Sequence, residues 1–161
     1  MRRSLGILAL LGLVLTGCGG DDGDGGRIQE DPVPVVTQVD VLTGTSAGGS
    51  VATSATPLPD HQAVREYAAQ FRNDVLGGEI VTAAEQAEVP EGQQLAAAVV
   101  AVGCEVPVEV EGSYEHGGDG GQVRVSATLP PPEKQCLAPI TSVALMLVPD
   151  WISAERPAGG R

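Results

Sequence analysis

Aromatic side chains are nearly missing from this chain: Tyr67, Phe71, Tyr114 and Trp151 are all it has in 161 residues. So few rings exclude a stacking platform for bases or a broad aromatic surface for sugars. Basic side chains are scarce too, with 9 Lys and Arg against 21 Asp and Glu, a formal charge of −12. That balance excludes a nucleic-acid partner, because tracking phosphates needs a basic patch. Histidine occurs twice, at His61 and His116, which rules out a His-rich metal site. No cofactor-binding motif is present, and the expectation is no cofactor. What the chain does have is apolar content, 42% of residues, too much for a fully disordered polymer.

No apolar run is long enough to span a bilayer as a helix, which takes roughly 20 residues. The N-terminal one, Leu5 to Leu15, follows basic Arg2-Arg3 and precedes small residues, the order of an export signal. It ends in Leu15-Thr16-Gly17-Cys18, which resembles the lipobox of bacterial lipoproteins. The resemblance implies that residues 1–17 are removed and that the Cys18 thiol carries diacylglycerol. The expected location is the extracytoplasmic face of the cell membrane, reached through two acyl chains and not through a spanning segment.

Residues 18–31 continue as CGGDDGDGGRIQED, Gly-rich, acidic and without periodicity, and read as a lipidated Cys followed by a flexible tether. Asp22 and Asp24 alternate as in a calcium loop, but Arg27 stands where the turn glycine belongs and Val33 where the terminal Glu belongs. From residue 32 to 161 the chain reads as one small domain.

Within it, Val33–Leu42, Ser50–Thr56, Leu95–Val102, Glu105–Glu111, Val123–Leu129 and Val143–Val148 have strand character, while Glu79–Val89 fits either a strand or a short helix. Pro107 marks Glu105–Glu111 as an edge. Gly117 to Gly121 reads as a hairpin loop. Asp60 caps one amphipathic helix with Val64, Tyr67, Ala68, Phe71 and Val75 on its apolar stripe, and Gly77-Gly78 ends it. The expected fold class is α+β: a mainly antiparallel sheet of about six or seven strands, one amphipathic helix and one disulfide.

Once Cys18 is lipidated, Cys104 and Cys136 remain as an even pair in an exported domain, where a disulfide is expected. Gly44-Thr45-Ser46-Ala47-Gly48 satisfies the G-x-S-x-G pattern, which works only when a strand turns directly into a helix; here a second strand is expected after it. Glu105, Glu109 and Glu111 read as the solvated face of an edge strand and not as a paired-carboxylate centre, which needs a cleft. No catalytic residue and no metal ligand is assigned.

The stretches Gly103 to Pro107 and Cys136 to Leu145 are similar to small uncharacterised lipoproteins of GC-rich Gram-positive bacteria, a resemblance that implies no activity. Three functions compete. The first is a non-enzymatic binding or assembly module for an envelope protein or solute. The second is an inhibitor of extracellular proteases presenting Pro130 to Cys136. The third is a small serine hydrolase using Ser46.

Overall fold

The structure, a computed structural model, describes residues 35–116, 121–132 and 136–152. The signal, Cys18, the acidic stretch with Asp22 and Asp24, and Gly117 to Gly120 lie outside the described residues.

The two most apolar runs form the centre. β3 (Gln93–Gly103) and β6 (Ile140–Pro149) pair antiparallel along their whole length, and β1 (Thr37–Thr45) and β2 (Thr56–Leu58) flank them, giving the order β1-β6-β3-β2. Their sequences lack polar alternation because both faces are covered. Leu95, Ala97, Val99, Val143 and Leu145 face a layer of two helices, while Ala96, Ala98, Ala144, Met146 and Val148 face the hairpin of β4 (Glu109–Glu115) and β5 (Gln122–Thr128). Burying a side chain of this size contributes about 1.5–3 kcal/mol. Two full strands of such residues are therefore the main source of stability.

Two helices occupy the region where one is expected. α1 (His61–Ala68) starts at Asp60, whose carboxylate accepts from the Ala63 amide at 2.8 Å. It stops after Ala68, and Asn73 begins α2 (Asp74–Gln86) by accepting from the amides of Val75 and Leu76. This second cap resets the helical phase. Val75, expected on the apolar stripe, is 68% exposed, and Leu76 and Ile80 take the buried positions. Gly77 does not end a helix but lies inside α2, where a β-carbon would come within 3.3 Å of the Ala68 carbonyl oxygen. The glycine lets the two helices touch. The ambiguous stretch from Glu79 is helical as far as Gln86.

Several strand boundaries also move. β1 runs on to Thr45, past the expected end at Leu42. The strand expected over Ser50–Thr56 reduces to a bridge at Ser54 and the short β2. The edge strand begins at Glu109 because Pro107, which has no N–H, and the disulfide-bonded Cys104 occupy the approach. With six strands among the described residues, mostly antiparallel pairing and one disulfide, the architecture is α+β.

Among the described residues the two sheets are stitched on one side only. Ala55 donates its amide to the Val123 carbonyl, and Val125 donates to Thr53, so the segment entering β2 touches β3 at Ala52, crosses to β5 and then returns to β3. On the other side β1 and β4 approach without pairing. There the Val36 side chain occupies the space that a side chain on Gly112 would need.

Candidate functional site

Ser46 is the one non-glycine residue with positive φ among the described residues, at 56°. Its amide donates to the Pro139 carbonyl at 2.8 Å, which fixes the turn against the start of β6. No helix follows directly; the next begins at His61. His61 opens α1 at the end remote from Ser46, since Arg72, just beyond that helix, donates to the Ala47 carbonyl. The eight residues of α1 rise about 12 Å. His116 is farther still. It follows β4 and sits beside Tyr114, which packs on Trp151 just past the opposite end of β6. The ten residues of β6 put roughly 30 Å between them at about 3.3 Å each. Ser46 thus has neither histidine within reach of its hydroxyl. Asp119, three residues past His116, lies outside the described residues.

Cys104 and Cys136 are bonded, with Cα atoms 5.3 Å apart, and the Cys136 amide donates to the Cys104 sulfur. The bridge closes the loop between the end of β3 and the approach to β6. Leu137, next to it, is fully exposed. Of the segment Pro130 to Cys136, residues 133–135 lie outside the described residues.

A cluster that local sequence patterns do not reveal stands at the other end. Tyr114 meets Trp151 edge to face with ring centroids 5.2 Å apart, and meets His116 likewise at 5.9 Å. The Tyr114 hydroxyl and His116 Nδ1 are 3.1 Å apart, a hydrogen bond. Trp151 keeps 51% of its surface exposed, yet its backbone is held firmly. Buried Gln94 points its amide nitrogen at the carbonyl oxygens of Pro149, Asp150 and Ile152, at 3.3, 3.0 and 2.6 Å. Ile152 itself is buried in the hairpin-side core. Half of the scarce aromatic residues are therefore spent on this surface. The other half, Tyr67 and Phe71, form an edge-to-face pair at 5.8 Å against the helix-side core. Burial pushes the Tyr67 phenol well above its ordinary pKa.

Of the expected carboxylate row, Glu109 and Glu111 lie on the edge strand, whereas Glu105 sits in the bend before it. Glu109 and Glu111 are exposed on the outer face of β4, and Glu115 forms an ion pair with Arg124 across the hairpin. The hydrogen bond from Arg124 to Glu115, and then the charge of Glu115, hold the guanidinium pKa above its ordinary value. Beside this strand a cavity of about 370 Å³ opens along the unpaired seam, lined by Val36, Gln38, Val110, Gly112 and Met146 among others.

Comparison with protein-family models, curated proteins and solved structures finds no match to this chain. Its function is therefore argued from its own residues.

Proposed function

We propose that the protein is a bacterial lipoprotein, held to the extracytoplasmic face of the cell membrane by diacylglycerol on Cys18. Residues 32–161 act there as a non-enzymatic binding or envelope-assembly module. The observation that carries this reading is the order basic, apolar, small, cysteine over Met1 to Cys18. Residues 1–17 are removed on export and the segment from Cys18 to Asp31 serves as the tether. Its partner is an envelope protein or solute and not a nucleic acid.

Binding is favoured over turnover by the separation of Ser46 from both histidines, because an activated serine needs a base within hydrogen-bond reach. Residues 32–161 hold 16 acidic and 6 basic side chains. Such a surface is repelled by anionic headgroups, so membrane contact runs through the lipid alone. Fractionation of cells making the Cys18→Ala protein tests the anchor. The wild-type chain is expected in the membrane fraction and the variant as a soluble or uncleaved form; equal partition of both would refute it.

A second reading, an inhibitor of extracellular proteases, is favoured by the fully exposed Leu137 beside the Cys104–Cys136 bridge. Inhibition of one protease in a panel, lost in Leu137→Asp, would replace the general binding module with this narrower role.

A further inference from the structure

The backbone groups left unpaired on β4 can be identified from the stitching of the sheets. Val123 and Val125 spend their carbonyl and amide on the segment Thr53 to Ala55. Alternation along an antiparallel strand then turns Gln122, Arg124 and Ser126 toward β4, where the register sets them opposite Glu115, Ser113 and Glu111. The N–H and C=O groups of Val110, Gly112 and Tyr114 therefore point off the outer edge. Among the described residues no backbone hydrogen bond reaches them. Val36 does not block this edge. It lies under the inner face of the hairpin, where Gly112 makes room for it.

The side chains along the same edge alternate in character. Glu109 and Glu111 are exposed, while Val110 and Gly112 are half-buried and adjoin the seam cavity with Val36 and Met146, a cavity that Glu111 and Ser113 also border. Arg124, on the neighbouring strand opposite Ser113, is already paired with Glu115. An added strand would set its outward residues beside Glu109 and Glu111, where basic side chains are stabilised and acidic ones repelled. Its inward residues would lie over the cavity, where an apolar side chain fills space. A second copy of this strand would bring carboxylate against carboxylate.

We propose that the outer edge of β4 accepts, by strand addition, an extended partner segment whose residues alternate between basic and apolar. This rests on reading the domain as a binding module. The same acidic row that blunts the edge against indiscriminate pairing selects a cationic strand.

Amide-resolved hydrogen exchange on the mature chain tests it, using a blocked peptide of alternating lysine and valine and a control of alternating glutamate and valine. With the basic peptide, exchange at Val110, Gly112 and Tyr114 is expected to slow by about tenfold or more, with little change at Glu109, Glu111 and Ser113, which already bond to β5. The acidic peptide is expected to leave all six unchanged. In the Glu109→Lys, Glu111→Lys protein, both changes being on exposed side chains, the preference for the two peptides should reverse.

Equal protection by both peptides, protection confined to another surface, no protection, or dimerisation through β4 would each overturn the proposal. The wider reading fails separately. A native envelope partner that leaves the β4 amides unprotected removes the docking edge and keeps the binding module, whereas protection without any membrane attachment keeps the edge and removes the lipid anchor.

Discussion

The side-chain nitrogen of Gln94 donates to the carbonyl oxygen of Ile152 across 2.6 Å of protein interior, joining the start of β3 to the turn that follows β6. The Pro149 and Asp150 carbonyls share the same amide nitrogen, whose two hydrogens are divided among the three acceptors, so one buried residue ties down the turn. Trp151 sits on that turn, and its contact with Tyr114 depends on it.

Replacing Gln94 by Leu keeps the volume and removes the donors. The expected cost is about 1–3 kcal/mol, from the buried Ile152 carbonyl left without its donor. Trp151 is the only tryptophan, so its fluorescence reports on this turn alone. Emission in Gln94→Leu should shift to the red and become easier to quench, with a lower urea midpoint.

Gly112→Ala places a methyl group on Val36. Overpacking of this kind typically costs about 1–3 kcal/mol. Because the clash is with one side chain, Gly112→Ala combined with Val36→Ala should be less destabilised than the two single losses added together. Simple additivity in that double-mutant cycle would place the strain elsewhere.

The Ser142 hydroxyl is buried on the hairpin side of β6 without a hydrogen-bond partner among the described residues. Ser142→Ala removes an unpaired polar group and leaves a methyl in the same place. The expected change is a gain of up to about 1 kcal/mol, against the usual direction for a core substitution. A loss of stability in denaturant titration would mean that the hydroxyl is bonded.

Tyr67 links stability to alkaline pH. Its phenol keeps its proton in the folded state well above the ordinary value of 10.0, while the unfolded chain releases it near that value. The unfolded state therefore binds fewer protons above about pH 10, and stability that is complete below this point falls as pH rises, by up to about 1.4 kcal/mol per pH unit for one group. Tyr67→Phe should flatten that decline. An unchanged slope would assign it to other groups.

The parts of the fold that were legible in the sequence are those fixed by local composition. Leu95–Val102 and Val143–Val148 read as buried strands because every position is apolar, and both faces are indeed covered. Asp60 read as a cap because its side chain acts within one turn. The break between α1 and α2 was not legible: the stripe from Val64 to Val75 stays in phase on paper, and only the Asn73 cap, tied also to the Thr45 carbonyl, shifts the register. The Tyr114, His116 and Trp151 cluster joins distant segments, so no local pattern announces it. Glu109 and Glu111 were visible as a sheet edge, while Glu105, read as part of the same row, lies in the bend before it. Which backbone groups of that edge stay free depends on Thr53 to Ala55 pairing with β5, a tertiary fact.

The claim on which the account depends most is that Cys18 carries the protein to the membrane. Intact mass of the protein extracted from membranes decides it directly. The account predicts a chain that begins at Cys18 and is heavier than its sequence by a diacylglyceryl group, with the Cys104–Cys136 disulfide intact. An exported chain with an unmodified Cys18, or one that retains residues 1–17, would contradict it.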